Sequence, residues 1–458
     1  MIQSMQIVRK SLRSLRILLI WPKARTDPDW GGDLGAIAEP LALEYLAAAA
    51  IADGHEVRIF DQRLHQDDDV SEIIGRFAPD VVGITAFSMH VLAAVAIARI
   101  AKQIHPDTKL VAGGHHATFL PEDFFEDCFD FVVSGEGVEP FVALLRELSR
   151  DTEIFAEIPG LWSRRDHYFV LGQGRRLLNI DTLPRPARHL TAEDRSRYFI
   201  DWMAPVACIR STMGCPYRCS FCSLWQMTEG RYYRREISPF VEELQEIPEE
   251  YVFLIDDEAF VNRERMIGAA EAIGSSGVRK RFFAYARVDT ILRQESALIA
   301  WKSIGLERLL VGIDAISSRD LTEYNKGYAV SAIERALEVA DRIGIEIFAQ
   351  FVVNTNYTER DFNRLVRFVE HYKIRYPSFT VLTPLPGTPA LNSFAKVIER
   401  QANGRPNWDL FDTQNAVTRT TLPAAEFRLA YRDLYRRFGA SYSTHRLRGQ
   451  RAGVGNAF

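Results

Sequence analysis

The 458-residue sequence contains no run approaching the roughly 18 consecutive apolar residues that a membrane-spanning helix needs. A strong basic excess is also missing. Lys and Arg number 56 against 60 Asp and Glu, a formal charge of −4, which argues against a general nucleic-acid binder. No apolar stretch of the signal-peptide kind follows Arg9, Lys10 and Arg13. Instead, Arg16-Ile17-Leu18-Leu19-Ile20-Trp21 reads as a first buried strand, so a cytoplasmic protein is expected. Cysteine is scarce and odd in number, five in all, and three of them are Cys215, Cys219 and Cys222. A disulfide framework would spread an even number along the chain, so a reducing compartment fits better, with the clustered thiols as metal ligands. No short internal repeat or heptad run is visible.

What is present is enough chain for two or three domains, with an ordinary 47% of hydrophobic and 25% of charged residues. Residues 15–145 alternate short β-rich runs (17–21, 57–61, 81–85, 110–112 and 131–133) with helical patterns at 41–52, 70–77, 93–104 and after Glu139. Continuous apolar strands separated by helices predict a doubly wound, flavodoxin-like α/β domain with its ligand at the carboxyl ends of the strands. Residues 146–205, with Pro159, Gly160, Gly172, Gly174, Pro184 and Pro186, read as a surface connector. Residues 206–395 repeat strand and helix six times, with strands expected at 206–211, 251–256, 281–288, 308–314, 346–353 and 379–384. Six βα units predict a partial (β/α)6 barrel. Residues 396–458 are expected to hold one helix, 424–438, and a Gly/Arg-rich end open to disorder.

The cysteine motif reads Gly214-Cys215-Pro216-Tyr217-Arg218-Cys219-Ser220-Phe221-Cys222-Ser223-Leu224-Trp225, directly after the first strand of the second stretch. Active-site loops gather at that end of a βα barrel. Three closely spaced thiolates suit three irons of a cubane and leave a fourth iron free. A structural zinc site would want a fourth protein ligand, and Cys208, seven residues upstream, falls within the expected strand.

Cys-x3-Cys-x2-Cys with an aromatic residue before the last cysteine resembles the signature of the radical S-adenosylmethionine (SAM) superfamily. The resemblance implies a 4Fe–4S cluster on Cys215, Cys219 and Cys222, whose open iron is chelated by the amino and carboxylate groups of SAM. It also implies that an electron from the cluster cleaves the sulfonium to give a 5′-deoxyadenosyl radical. Later strand ends carry matching positions for SAM. These are Asp256 and Asp257 in Asp256-Asp257-Glu258, Arg287, Gly312 and Asp314 in Gly312-Ile313-Asp314, Gln350, and Pro386 and Gly387 in Thr383-Pro384-Leu385-Pro386-Gly387-Thr388-Pro389. Each has a plain structural reading too: acids at a helix start, a surface ion pair for Arg287, a buried amide for Gln350, a proline-rich turn. Asp314 stands where relatives commonly carry Glu.

The first domain resembles a cobalamin-binding domain. Asp61, Ser88, Gly113, Gly114, Gly135, Glu136 and Gly137 are the positions the resemblance assigns to cobalamin. In Asp61-Gln62-Arg63-Leu64-His65, Arg63 occupies the place of the histidine that would ligate cobalt, and His65 is shifted by two residues, so cobalamin without a histidine below the metal is implied. His90, His115 and His116 read equally as pocket lining or hydrogen-bonded loop histidines.

The segments 39–46, 113–118, 222–225, 256–258 and 381–388 look particularly like those of hopanoid C-3 methylases and their near relatives. That likeness implies a cobalamin-dependent radical SAM C-methyltransferase acting on a hopanoid or similar polycyclic lipid. One SAM methylates reduced cobalamin, another yields the radical, and a substrate carbon that has lost hydrogen captures the methyl group. A flavodoxin or ferredoxin as electron donor, a small-molecule or lipid substrate and no nucleic acid are the expected partners. Without a transmembrane segment, peripheral contact with a membrane stays open. The alternatives are a cobalamin-dependent radical cyclase or rearrangement enzyme acting on a tetrapyrrole, and a non-enzymatic cobalamin-responsive sensor.

Overall fold

A computed structural model describes residues 13–25, 36–152, 154–177 and 179–438, with the backbone alone at 392–395. The N-terminal basic segment before residue 13 and the Gly/Arg-rich tail after 438 lie outside the described residues. Two compact units emerge, one drawing on residues up to 24, 40–178 and 183–190, the other on 25–39, 179–182 and 191 onward.

The first unit is built on β1 (Arg16–Trp21), α1 (Leu41–Ala52), β2 (Glu56–Asp61), α2 (Val70–Phe77), β3 (Val81–Thr85), α3 (Val91–Ile104), β4 (Lys109–Gly113), β5 (Phe131–Val133) and α4 (Val138–Arg150). Strands β1 and β3 are apolar almost throughout because helices cover both faces of a parallel sheet. Helix α3 buries Val91, Ala94, Ile97, Ala98 and Ala101, the three-and-four spacing of one helical face. Asp69 caps α2 by accepting from the Ser71 N–H at 2.8 Å. The parallel part of the sheet runs β2-β1-β3-β4-β5, the flavodoxin-like order. Its strand order reverses between β1 and β3, where such sheets open a ligand crevice. Residues 161–171, placed in a connector by the sequence reading, instead form an antiparallel hairpin, β6 (Leu161–Arg165) and β7 (Tyr168–Leu171), that extends this sheet beyond β5.

The second unit holds six parallel strands in sequential order: β8 (Val206–Ile209), β9 (Tyr251–Leu254), β10 (Arg281–Arg287), β11 (Leu306–Asp314), β12 (Glu346–Val353) and β13 (Tyr376–Val381). Sequential parallel strands with intervening helices make the six βα units of a partial barrel. Alternation along each strand sorts the two faces. Ala207, Val252, Ala284, Val311 and Ala349 join the helix-covered core, whereas Cys208, Phe253, Tyr285, Arg287 and Gln350 fall on the other face. Trp301, fully buried in the helical layer, packs edge-on to Phe260 and Phe282 and donates its indole N–H to Met266 O at 2.8 Å.

Two local devices set the ends of the site-bearing strands. Glu39, 3% exposed, accepts from the Cys208 N–H and from Arg195, which also donates to Glu249 at 2.6 Å. This pins the start of the chain's second unit to β8. At the far edge, helix α5 (Ala424–Phe438) places the Tyr431 hydroxyl 2.9 Å from Phe379 O on β13. None of the described helices is long and apolar enough to cross a membrane.

Candidate active site

The cysteine loop leaves the carboxyl end of β8 and is shaped by acids at the end of β9. Asp256, fully buried, accepts from the Ser211 N–H (2.7 Å), the Thr212 N–H (2.9 Å) and the Ser211 hydroxyl (2.6 Å). Asp257 accepts from the Gly214 N–H at 2.8 Å. Gly214 has φ +90, and a Cβ there would lie 2.1 Å from Arg231 O and 2.6 Å from Thr228 Oγ1. Only glycine fits. Beyond it the loop folds on itself: the Cys222 N–H donates to Cys219 O at 3.2 Å, and the Trp225 indole to the same oxygen at 3.3 Å.

Burial pushes the Cys215 thiol up to about 12, with Glu258, Cys222 and Cys219 adding to the rise. The Cys222 thiol is driven to about 11 by burial, and then by Cys219, Asp257 and Asp314. Burial beside carboxylates thus keeps the Cys215 and Cys222 thiols protonated until a soft cation is supplied. Among the described residues, no three Cys, His, Asp or Glu side chains converge on a single point as one bound ion would require. A cubane differs in that each thiolate takes its own corner iron. Cys208, the cysteine weighed as a fourth zinc ligand, is a buried residue of β8.

Glu258 is 2% exposed, and its Oε1 has no hydrogen-bond partner among the described residues. Burial pushes its carboxyl up to about 7. Arg287, at the end of β10, donates to Asp289 (2.9 Å), to Cys219 Sγ (3.1 Å) and to Lys326 O (2.5 Å), with Tyr217 stacked 3.9 Å beneath its guanidinium. At the end of β11 the ladder shifts register between Gly312 and Asp314, and Asp314 adopts φ 62. Its carboxylate is paired with Lys326, 4% exposed, whose ammonium is opposed by burial but held charged above its ordinary range by Asp314. Gln350 lies half-buried on β12 opposite Gly312, on the face away from the helices. Pro386 is buried in the turn after β13, and Gly387 follows it between hydrogen bonds from Leu385 N–H to Thr383 O (2.9 Å) and Thr388 N–H to Leu385 O (3.1 Å). The structure therefore gathers Cys215, Cys219, Cys222, Asp257, Arg287 and Asp314 into one interacting group. Asp256 is committed to the turn before the cysteines. Lys326 was not marked in the sequence, because nothing in Asn325-Lys326-Gly327 distinguishes it from a loop lysine.

The candidate cobalamin residues lie at strand ends in the first unit. Gly114 has φ +96, and a Cβ there would sit 2.7 Å from Thr85 Oγ1 and 2.9 Å from Ala86 N. Gly113 ends β4; Gly135, Glu136 and Gly137 follow β5, with Glu136 accepting from the Gly137 N–H at 3.2 Å and Thr118 accepting from the Gly135 N–H at 3.0 Å. Ser88 is buried with its hydroxyl 3.0 Å from His116 Nδ1, and His116 Nε2 lies 2.9 Å from Asp123. Asp61 is held by Arg63 through contacts of 2.8 and 2.6 Å, and the same guanidinium lies 3.8 Å over Trp21. His65 turns away to Asp68 (3.1 Å) and Phe60. A shelf of rings lies at the strand ends, Trp21 tilted against Phe87, Phe87 stacked on His115 and His115 edge to face with Phe119, and Phe87 is 44% exposed. Burial lowers His90 to about 4, helped by Arg63, and lowers His115 to about 4, helped by His116.

Residues 30–145 match the B12 binding domain model, and residues 209–369 match the radical SAM superfamily model. The chain is 31% identical over 422 residues to hopanoid C-3 methylase of Methylococcus capsulatus, covering 89% of this chain and 77% of that protein. The chain belongs to the cobalamin-dependent radical SAM methyltransferase family. An uncharacterized methyltransferase of Pyrococcus horikoshii is also 31% identical, over 82% of each chain. The cobalamin-dependent SAM radical enzyme OxsB with aqua-cobalamin bound shares the fold at a TM-score of 0.68 and 14% identity, over 87% of this chain. The present chain spans 64% of that longer one.

Members of the cobalamin-dependent radical SAM methyltransferase family work with a 4Fe–4S cluster, SAM and cobalamin, and the residues present fit all three. The thiols supply soft donors, and among the described residues no group of protein ligands closes around a single ion. The orphaned Oε1 of Glu258 is a buried acceptor suited to a ligand ammonium, and leaving it unmatched costs about 1–3 kcal/mol. Gly114, lacking a Cβ, lets its turn pack directly against Thr85 and Ala86, and the exposed Phe87 ring at the same strand ends offers apolar surface to a flat ligand.

Proposed function

We propose that this enzyme methylates an unactivated carbon of a hopanoid or similar polycyclic lipid, with C-3 of a hopanoid as the first candidate. The observation that carries the reading is the group of three thiols held beside Arg287, Glu258 and Asp314 at the ends of consecutive parallel strands. The similarity to hopanoid C-3 methylase over 89% of the chain supports the substrate class.

In this reading Cys215, Cys219 and Cys222 hold the cluster. Asp257, Glu258, Arg287, Gly312, Asp314, Gln350, Pro386 and Gly387 surround SAM, while Asp256 fixes the turn that delivers the first cysteine. Residues 15–145 hold cobalamin through Asp61, Ser88, Gly113, Gly114, Gly135, Glu136 and Gly137, and residues 206–395 hold the cluster and SAM. When bound, these groups supply a carbon-centred radical and a transferable methyl group. The protein's own contributions are position and dryness. Phe253, Phe283 and Tyr285, packed ring to ring on the strand face away from the helices, exclude water from that face. Arg63, folded back on Asp61, stands where the sequence motif would carry a cobalt-ligating histidine. A flavodoxin- or ferredoxin-type protein supplies the electron, and a lipid substrate is met by peripheral contact.

The test is anaerobic purification of the full-length protein with iron, sulfide and cobalamin quantified, followed by incubation with methyl-labelled SAM and extracted polycyclic lipids. A labelled methylated lipid, absent from cells lacking the gene, supports the reading. An unlabelled product with a changed number of rings sinks methyl transfer in favour of cyclisation. Deoxyadenosine formed by the wild type and lost in Cys219→Ala excludes a cobalamin sensor, and unchanged formation in that variant sinks the cluster assignment.

A further inference from the structure

Lys326 sits in a loop without regular structure, between the helix Ser318–Glu323 and Val330, yet it is among the most buried charged side chains of the second unit. Its ammonium is paired with Asp314 and donates to Gly312 O at 3.2 Å. Two neighbouring carbonyls of the same strand end, Gly312 and Ile313, accept from the Tyr328 hydroxyl at 3.1 and 3.2 Å. The loop is thus bolted to the end of β11 at two points.

Its other side braces the cysteine loop. The Ser220 N–H donates to Tyr324 O at 3.1 Å, the Ser220 hydroxyl to Glu323 O at 2.7 Å, and the Asn325 amide to Arg218 O at 2.7 Å. Arg287 spans the two loops, reaching Lys326 O with one nitrogen and Cys219 Sγ with the other.

A buried ion pair is a poor source of net stability, because desolvating both charges offsets most of their attraction. Its use is geometric: it has one favourable arrangement, and the backbone around it inherits that arrangement. Here the inherited geometry includes the left-handed backbone of Asp314, which a residue with a Cβ adopts only where its surroundings hold it. It also includes an N–H donor on the Cys219 sulfur, and such donors on a ligand sulfur make an iron–sulfur cluster easier to reduce.

We propose that Lys326 is a positioning residue of the radical site: by locking residues 324–328 to Asp314, it holds residues 218–221 in cluster-binding form and keeps Arg287 on Cys219. The proposal rests on the reading of Cys219 as a cluster ligand, and its test separates the two. In the metal-free full-length protein, Lys326→Met is expected to speed hydrogen exchange at the Ser220 amide about tenfold while amides of β1 and β3 keep their rates. In anaerobically reconstituted protein the same variant is expected to bind iron and sulfide but to shift its reduction midpoint, followed by electron paramagnetic resonance, to more negative potential. Lys326→Arg restores most of that shift. Wild-type exchange at Ser220 together with a wild-type midpoint in Lys326→Met overturns the proposal. Should Lys326→Met fail to fold, Asn325→Ala and Lys326→Arg carry the test. Exchange across 218–221 faster by about threefold in Asn325→Ala, with Lys326→Arg close to wild type, supports the brace, and wild-type exchange in Asn325→Ala overturns it. Wild-type protein that takes up no iron or sulfide, with Ser220 still loosened in Lys326→Met, sinks the cluster reading and leaves the positioning role supported.

Discussion

Asp256 and Ser211 are joined twice: one carboxylate oxygen accepts the Ser211 N–H at 2.7 Å and the other accepts its hydroxyl at 2.6 Å. This pair ties the ends of β8 and β9 together immediately before the cysteine loop. Asp256→Ala would leave the buried N–H groups of Ser211 and Thr212 unpaired, each at about 1–3 kcal/mol. A loss of about 3 kcal/mol in unfolding free energy and a fall in iron per chain are expected, by denaturant titration and metal analysis. Asp256→Asn keeps an acceptor and is expected to cost less than about 1.5 kcal/mol.

Gly214→Ala is expected to abolish iron binding while cobalamin uptake is unchanged. Positive φ alone costs about 1–3 kcal/mol for a residue with a Cβ, and the carbonyl of Arg231 stands 2.1 Å from where that atom would be. The check is iron and cobalamin content on the same preparation. Equal loss of both cofactors would mean that the defect is global.

Gly114→Ala is the mirror experiment. Its Cβ would press on Thr85 Oγ1 and the Ala86 backbone, and the carbonyl of Gly114 would lose its contact with the Thr118 hydroxyl at 2.9 Å. Cobalamin affinity, read by absorbance titration, is expected to fall by about tenfold or more from backbone strain alone, with iron content retained.

Glu258 predicts a pH dependence in the ligand-free protein. Burial raises its folded pKa from 4.5 to about 7, so between those values the folded state holds a proton that the unfolded state has released. Its contribution to stability is therefore full below pH 4.5 and is lost as pH rises through 7. The loss amounts to about 2–4 kcal/mol. Glu258→Gln is expected to flatten this part of the stability-against-pH curve, measured by urea unfolding from pH 5 to 8. A slope identical to wild type would show that another group titrates there.

The sequence by itself determined the strands and their order of chemistry. Short β-branched apolar runs such as Val81–Thr85, bounded by turn residues, read as strands covered on both faces, and the spacing of Val91, Ala94, Ile97 and Ala101 puts them on one helical face. Cys215, Cys219 and Cys222 were legible because their spacing is short, and local spacing survives folding unchanged. The hairpin Leu161–Arg165 and Tyr168–Leu171 was hidden by its glycines and prolines, and its attachment to β5 is a long-range pairing that local pattern does not encode. Tertiary structure alone decided that Asp256 serves the turn, that Glu258 keeps an oxygen unpaired among the described residues, and that Lys326 is buried on Asp314. A carboxylate or an ammonium is the same letter on a surface or in a core; its charge acquires a task only when folding removes water and leaves one partner within reach.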